Sequence, residues 1–344
     1  MKLATFQRNS ADRIAIVHDG DSKLFDLAAA ALAEGIEPPQ FRSMLDLIDS
    51  GEGGLYSASR LFERLSAEPT FNHALADVKL RSPVPVPRQL RGFTSFPGHL
   101  AGAPAGVRRL GARLRGEPLP EMGKNPIPQV NLDRPIYFKT NRYSVVGTGE
   151  VIRWPRFSEY MDVELECGFF LSKAGVDIPV SKADDYIFGY TVFGDYSARD
   201  EQVREMAGHL GPAKGKDFDT GNAIGPWLVT KDDLPDIMTR RMTAVINGKI
   251  WADSDMSDGV FSFAEMISFL SNEETLYAGE FISAGTVTGG SGLERDIYLS
   301  DGDDISLTID GVGTLHNVLK KVPRESTWLD FARPRTELQD QSPA

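Results

Sequence analysis

The sequence contains little cysteine, no long apolar run and less positive than negative charge. A single cysteine in 344 residues excludes an internal disulfide and a cysteine-rich zinc site. No apolar stretch approaches the roughly 20 residues that a membrane-spanning helix needs. The 37 lysines and arginines against 49 aspartates and glutamates give a net charge of −12, which argues against a nucleic acid or an anionic membrane surface as partner.

Several familiar sequence signals are missing as well. The chain has no GxGxxG motif, no P-loop and no regular βαβ alternation, so a nucleotide-binding fold is not expected. The first twenty residues lack the apolar core and small-residue cleavage site of a signal peptide. Hydrophobic residues make up 41% of the chain, ample for a large core. Together these features predict a soluble cytoplasmic protein.

The remaining pattern divides the chain into two predicted domains and a tail. Residues 1–85 mix strand-like and helix-like segments and predict a small α+β domain, with a helix over 23–35. Three alternating prolines in "SPVPVPRQLRG" (82–92) favour extended backbone and mark the boundary. Residues 86–330 are rich in aromatic and β-branched segments, which indicates a β-rich α+β domain. Residues 331–344 read as a polar tail.

Three local signals in the second domain are clear. The Asn247-Gly248 pair between two apolar runs predicts a tight β-hairpin. The segment "SFAEMISFLS" (262–271) has the periodicity of an amphipathic helix. The proline- and glycine-rich segment 116–129 predicts an irregular loop.

The stretch "MDVELECGFF" (161–170) places a row of acids on a predicted strand. Asp162, Glu164 and Glu166 alternate with apolar residues, so all three share one face of the strand. One interpretation is a half-exposed strand with a solvated acidic face. The other is a cation site, because crowded carboxylates are costly unless a charge compensates them, and hard divalent cations prefer oxygen ligands. Alternation points Cys167 away from this face, so we interpret it as a core residue.

A further carboxylate lies in "FGDYSARDEQ" (193–202). Asp195 follows a predicted strand and precedes a helix start, with Ser197 as a plausible cap. Beside two carboxylates from another strand it would complete a three-carboxylate site, of the kind in which Mg²⁺ keeps positions open for water or substrate. Arg199 and Gln202 are three residues apart and would share a helical face.

Two glycine-rich segments carry candidate contacts for an anion. Lys216, in "GPAKGKDFDTGNAIGPW" (211–227), is either an ordinary surface lysine or a point charge for an anionic substrate group. In "SAGTVTGGSGLE" (283–294), Gly285 and Thr286 end a predicted strand. The glycines that follow either let backbone amides approach an anion or form a mobile loop.

These segments, in this order, resemble the fumarylacetoacetate hydrolase family. The similarity runs from about residue 90 to 325 and includes "VELE", "FGDYSARDEQ", "KGKDFDTGNAIGPW", "INGKIWADSDMSD", "GTVTGGSGLE" and "LSDGDDISLTIDGVGTL". The resemblance implies a mixed β-roll behind a variable N-terminal region, a homodimeric assembly, and a small-molecule oxo-acid substrate, such as a 2-oxo acid or a 1,3-dicarbonyl compound.

The resemblance also implies roles for particular residues. The metal, Mg²⁺ or possibly Mn²⁺ or Ca²⁺, would be held by Glu164, Glu166 and Asp195. Asp162 would stand outside this ligand set. The substrate's oxygens would be surrounded by Arg199, Gln202, Lys216 and Thr286.

A base is implied by two further matches. His99, in "GFTSFPGH", stands where hydrolytic relatives carry their base in a phrase like "DFYAFEQH", and Glu294 matches the acid that orients it. Because His99 follows the proline-rich boundary, we expect its segment to be mobile and to approach Glu294 only with substrate. Gly92 and Thr94 replace the aspartate and tyrosine of that phrase. This departure argues against fumarylacetoacetate itself as substrate and leaves the three-carboxylate site of acylpyruvate-type relatives intact.

We therefore predict a metal-dependent hydrolase of a carbon–carbon bond in a β-diketo acid. His99 and Glu294 would activate water, and Lys216 would help to stabilise the departing enolate. The same metal site would also serve a 2-oxo acid decarboxylase, hydratase or isomerase. A catalytically inactive binding protein of the same fold is the non-enzyme alternative.

Overall fold

The computed structural model describes residues 1–37, 39–321 and 323, so the predicted tail 331–344 lies outside the described residues. The strands are β1 Lys2–Arg8, β2 Ala11–His18, β3 Lys23–Asp26, β4 Asn72–Ala74, β5 Lys79–Leu80, β6 Leu90–Thr94, β7 Ile136–Lys139, β8 Val145–Val146, β9 Val151–Trp154, β10 Met161–Leu171, β11 Ile187–Ala198, β12 Asn222–Thr230, β13 Met242–Ile246, β14 Lys249–Ser254, β15 Phe281–Ser291, β16 Asp304–Ile309 and β17 Gly313–Lys321. The helices are α1 Leu27–Ala33, α2 Met44–Asp49, α3 Gly51–Leu65, α4 Pro97–Arg115, α5 Gln129–Asp133, α6 Val180–Ala183, α7 Arg199–Met206 and α8 Phe263–Ser271.

The strands form two mixed sheets. In the described residues the larger has the order β4-β3-β2-β1-β12-β11-β10-β15-β6-β7, with β5 beside β1 and β8 beside β12. The smaller has the order β14-β13-β16-β17-β9. Most neighbours are antiparallel, while β6 with β15, β8 with β12 and β9 with β17 are parallel. The α+β class predicted from the sequence is confirmed.

Strand β10 is buried along its whole length because both of its faces are covered. Val163, Leu165 and Cys167 belong to the core shared with the smaller sheet. On the opposite face, Phe170 belongs to a second core that also contains residues of α1, α2 and α3. The acids of β10 share that opposite face, farther along the strand. The sheet therefore separates an apolar core from a polar site.

The first eighty residues extend the larger sheet. Strand β1 pairs with β12, with Leu3 opposite Leu228, and Phe25 shares a core with Phe170 and Phe281. The sheet thus runs across the predicted boundary between residues 85 and 86. The division into two domains stays a prediction.

Local predictions met different outcomes. The hairpin is confirmed, since Ile246 pairs with Lys249 around Asn247-Gly248, and α8 begins at a capping box made by Ser262 and Glu265. The helix predicted over 23–35 is wrong at its start, because residues 23–26 form β3 against β2. Helix α1 begins only where the Asp26 side chain accepts from the Ala29 amide. Among the helices described, none has the length and apolarity to cross a membrane.

Candidate active site

The cross-strand register brings the predicted carboxylates together. Glu164 on β10 lies directly opposite Asp195 on β11, and Glu166 follows on the same face of β10. One oxygen of each residue lies within 4.8 Å of the others. All three side chains are buried. The solvated-face interpretation of the acid row is therefore wrong, because β10 is a central strand.

The three carboxylates differ in their electrostatic surroundings. Burial raises the pKa of Glu166 well above its usual range, and the neighbouring Asp195 and Glu164 raise it further. Burial also raises the pKa of Asp195, to about 6. For Glu164, burial acts in the same direction, but the charges of Arg199 and Lys216 outweigh it and hold the pKa well below its usual range. Like charges crowded in a dry site favour an added cation.

The cluster fits a hard divalent cation by its own chemistry. Its donors are all carboxylate oxygens, the ligands that Mg²⁺ and related ions prefer. Asp195 Oδ1 is buried and has no hydrogen-bond partner among the described residues. A buried acceptor without a partner is costly, and a metal ion would satisfy it. Glu164, Glu166 and Asp195 could therefore hold a divalent metal.

Two buried cations border the cluster. Lys216 Nζ lies 2.5 Å from Glu164 Oε2 and 2.6 Å from Asp195 Oδ2, so the surface-lysine interpretation is wrong. Its burial lowers the pKa of the ammonium, but Asp195 and Glu164 outweigh this and raise it. Arg199 Nη2 lies 2.7 Å from Glu164 Oε1. Both side chains are 1–2% exposed.

Arg199 also connects the cluster to its surroundings. It donates through Nη1 to Gln202 Oε1 at 2.8 Å, as their spacing on α7 predicted, and this leaves the Gln202 amide nitrogen able to donate elsewhere. Nη2 also donates to Asp162 Oδ2 at 2.7 Å. Ser197 does not cap α7; its hydroxyl donates to the Asp195 carbonyl within β11 instead.

Strand β15 supplies hydroxyl donors to the cluster. The Thr286 hydroxyl donates to Glu166 Oε1 at 3.1 Å, and the Ser283 hydroxyl donates to Glu166 Oε2. The predicted strand end at Gly285 and Thr286 is wrong, because β15 continues to Ser291 through an irregular register beside Glu166. Two glycine amides beyond this point donate to carboxylates of the protein, Gly289 N to Glu294 Oε2 and Gly292 N to Asp162 Oδ1.

His99 and Glu294 form a pair at the edge of the cluster. His99 Nδ1 lies 2.9 Å from Glu294 Oε1, and His99 Nε2 lies 3.7 Å from Glu164 Oε1. An ionised carboxylate only accepts hydrogen bonds, so His99 donates through Nδ1 to Glu294, and Nε2 is the ring nitrogen that lies nearer the carboxylates. The two residues are in hydrogen-bond contact in this structure, and movement of the His99 segment on substrate binding stays a prediction.

A glycine face on α4 explains this proximity. Gly98, Gly102 and Gly106 recur every fourth residue, so they share one face of the helix. A side chain at Gly98 would collide with Thr288, one at Gly106 with the Leu293 carbonyl, and a Cβ at Gly102 would lie 3.3 Å from Glu294 Cγ. The helix therefore approaches the turn that carries Glu294 closely.

Ion pairs with Asp296 connect the C-terminal half of α4 to the turn that carries Glu294. Asp296 accepts from Arg109 Nε and Arg113 Nη2, each at 2.7 Å, and from the Tyr298 hydroxyl at 3.1 Å. The glycine contacts and the Asp296 pairs together hold His99 against Glu294.

Gly92, which stands where related sequences have an aspartate, packs closely against Phe138 in the sheet. Gly92 lies between Ser283 and Phe138 in the sheet, and a Cβ there would lie 2.9 Å from the Phe138 ring. The same ring lies 5.9 Å from Lys216 Nζ. A side chain at position 92 would therefore collide with the Phe138 ring, which also lies near Lys216.

The site opens into a cavity of about 1140 Å³. Most of the predicted site residues line it, namely His99, Glu164, Glu166, Arg199, Gln202 and Thr286. Glu294 and Lys216 lie behind them, bonded to His99 and to the carboxylates. Cys167 is buried in the core on the opposite face of β10, where burial raises the pKa of its thiol.

Sequence reasoning missed the structural role of Asp162. Its carboxylate accepts from Arg199, from the Ser291 hydroxyl at 2.7 Å, and from the amides of Gly292 and Leu293 at 2.9 and 3.0 Å. It joins the cluster to the turn that carries Glu294. The acid row placed Asp162 on the correct face, but no local pattern indicated its partners 129 to 131 residues away.

The sequence matches a known protein family and is similar to a characterised bacterial protein. Residues 110–320 match the family described as Fumarylacetoacetate (FAA) hydrolase C-terminal. The chain is 30% identical over 327 residues to the oxaloacetate tautomerase YisK of Bacillus subtilis, covering 92% of this chain and 99% of that protein.

Solved structures share the fold. The fumarylacetoacetate hydrolase of Exiguobacterium antarcticum superposes with a TM-score of 0.69 at 22% identity, and the maleylpyruvate hydrolase of Sphingobium sp. SYK-6, in complex with a manganese(II) ion and pyruvate, with a TM-score of 0.67 at 22% identity. Each of these two superpositions covers 94% of this chain and 100% of the solved chain.

Proposed function

Because the chain belongs to the fumarylacetoacetate hydrolase family, we propose that it is a metal-dependent hydrolase of an acylpyruvate-type β-diketo acid. The observation that carries the proposal is the His99–Glu294 pair beside three buried carboxylates, with His99 Nε2 turned toward Glu164. A water-activating base next to a cation site is the arrangement that hydrolysis needs and simple decarboxylation does not.

Glu164, Glu166 and Asp195 would hold the metal. When bound, the ion would act as a Lewis acid toward the oxo-acid oxygens. Mg²⁺ is our proposed ion, and the manganese in the maleylpyruvate hydrolase structure supports a divalent metal in general. Metal analysis of the purified protein tests the choice.

The chain's own residues perform the proton transfers. His99 Nε2 takes a proton from water while Glu294 holds the ring and stabilises the imidazolium. The water oxygen bonds to the distal carbonyl carbon, and the bond from that carbon to the neighbouring CH₂ breaks. Its electron pair passes to the pyruvate enolate, which His99 then protonates. The products are a carboxylic acid and pyruvate.

Lys216, Arg199, Gln202 and Thr286 would surround the substrate's oxygens. The buried charge of Lys216, which is paired with Glu164 and Asp195, would stabilise the developing enolate electrostatically. Arg199 already bonds Asp162, Glu164 and Gln202, so its main contribution is to position Glu164 and Gln202. We also propose that the enzyme is a homodimer in the cytoplasm, and light scattering of the purified protein tests the assembly.

A second candidate is tautomerisation of a 2-oxo acid, favoured by the similarity to an oxaloacetate tautomerase over 92% of the chain. The same His99 would then move a proton between carbon and solvent, and no bond between carbons would break. The metal-loaded protein should be given acetylpyruvate and, separately, enol-oxaloacetate. Pyruvate release from acetylpyruvate supports hydrolysis. Faster keto–enol exchange of oxaloacetate without pyruvate from acetylpyruvate would favour the tautomerase.

A further inference from the structure

The cavity is much larger than the oxo-acid head of the proposed substrate requires. Its volume is about 1140 Å³, whereas pockets of roughly 300–1,000 Å³ already enclose drug-sized ligands. Glu164, Glu166 and Arg199 gather at its inner end. An acetyl group on the distal carbonyl would leave most of the remaining space unfilled.

Helix α4 turns an apolar face toward this space. Leu100, Ala103, Pro104 and Val107 line the cavity at the spacing of one helical stripe. This stripe is distinct from the glycine face that packs on the Glu294 turn. Val107 is 36% exposed, so the stripe ends at the cavity mouth.

Two other elements present apolar side chains to the same space. Strand β7 contributes Ile136 and the ring of Phe138, and Met206 and Leu210 line the cavity at the end of α7 and just beyond it. Ile136, Met206 and Leu210 are 37%, 48% and 97% exposed. Large apolar side chains left exposed around one opening mark a binding site, and here the opening leads to the carboxylates.

We propose that the substrate carries a large apolar acyl group, an aromatic ring or an alkyl chain of about five or more carbons, on its distal carbonyl. This inference rests on the proposed function for the placement of the oxo-acid head at the carboxylates. The rival occupant is an acyl group that ends in a carboxylate, which the exposed cations Arg108 and Lys139 among the lining residues would bind.

A substrate series tests the inference on the metal-loaded protein. We expect kcat/KM to rise about fourfold for each added methylene from acetyl- to hexanoylpyruvate, mostly through KM, and benzoylpyruvate to match the longer chains. A constant or falling kcat/KM, or a preference for an acyl group of equal length that ends in a carboxylate, would overturn the apolar site and leave hydrolysis standing.

A binding series separates this inference from the proposed function. Oxamate and its N-alkyl derivatives resemble the oxo-acid head and are not cleaved as acylpyruvates are, so calorimetry with the manganese-loaded protein reports affinity alone. N-hexyloxamate should bind at least about 100-fold more tightly than oxamate. If it does so while no acylpyruvate is cleaved, the apolar site stands and the hydrolase proposal fails. Equal affinities overturn the apolar site.

Substitutions of cavity-lining residues test whether the alkyl chain binds in this cavity. Val107→Asp and Met206→Glu, from two different walls, should each reduce the ratio of N-hexyloxamate to oxamate affinity at least about tenfold. Val176 is a matched control, since it is 50% exposed and does not line the cavity, and Val176→Asp should leave the ratio unchanged. An unchanged ratio in both cavity variants would contradict the proposal.

Discussion

The carboxylate cluster and the His99–Glu294 pair share one cavity, yet they are held in place by different means. The cluster stands on adjacent central strands, where Glu164 faces Asp195 across a ladder of hydrogen bonds. The pair joins a helix to a turn 195 residues away, and its geometry depends on side-chain packing and on the Asp296 ion pairs.

Because the two groups are held by different elements, the strands position the proposed metal ligands and the docked helix positions the proposed base. Strand register places like charges together, which favours the binding of a cation there. Helix docking places a candidate base beside those carboxylates. Changes to the strands should therefore affect metal binding, and changes to the docking of α4 should affect turnover at constant metal affinity.

The largest effect is expected from the cluster. Asp195→Asn removes one of three carboxylate ligands, so Mn²⁺ affinity should fall by more than about 100-fold, beyond the loss typical of outer residues, and turnover should fall with it. Calorimetric titration with Mn²⁺ measures the change. Exposed Asp232 provides the control as Asp232→Asn. Wild-type Mn²⁺ affinity in Asp195→Asn would remove this residue from the metal site.

The pair should respond in turnover alone. His99→Ala should lower kcat by about 10²–10⁴, as loss of a general base does, while Mn²⁺ affinity stays within a few-fold of wild type. Glu294→Gln should cost less, because the imidazole remains. Steady-state kinetics on acetylpyruvate provide the measurement. A large fall in Mn²⁺ affinity in His99→Ala would show that the pair also supports metal binding. It would contradict the assignment of metal binding to the cluster and turnover to the pair.

Docking of α4 can be disturbed without touching either charged group. Gly106→Ala places a methyl group against the Leu293 carbonyl, so the helix must shift, at a cost of about 1–3 kcal/mol in stability. Displacing a catalytic group by about 1 Å costs on the order of 10²-fold in rate, and we expect kcat to fall by up to that factor. Gly53 is a matched helical glycine, where an added Cβ would have nothing within 4 Å. Gly53→Ala should leave kcat unchanged, and an equally unaffected Gly106→Ala would refute the docking account.

The smallest effect is expected at Asp296. Asp296→Asn weakens its bonds to Arg109 and Arg113, which are themselves 22% and 27% exposed, so the loss should be on the order of 1 kcal/mol in stability. We expect a few-fold fall in kcat with unchanged Mn²⁺ affinity. Chemical denaturation and kinetics measure the two effects. A fall in kcat as large as that of His99→Ala would show that α4 is held mainly by this ion pair.

The sequence was informative where one element carries the signal. Alternation alone placed Asp162, Glu164 and Glu166 on one face, and the Asn247-Gly248 pair located a hairpin, because both depend on local backbone geometry. The α+β class followed from the same local patterns.

Features that depend on distant packing were not visible. The glycines of α4 look like ordinary helix-weakening residues until Thr288 and Leu293 are seen against them. The contacts of Asp162 with Gly292 and Leu293 arise only when β10 and β15 become neighbours. The start of α1 was misplaced because pairing of β3 with β2 outweighed helix propensity at residues 23–26.

The central claim is that a metal held by the carboxylates and a base at His99 together hydrolyse an acylpyruvate. Its most direct test is pyruvate release from acetylpyruvate and hexanoylpyruvate by metal-stripped protein, by the same protein reloaded with Mg²⁺ or Mn²⁺, and by reloaded His99→Ala. The account predicts release only after reloading, and a loss of about 10²–10⁴ in the variant. Equal release by the stripped protein, or full release by His99→Ala, would contradict it.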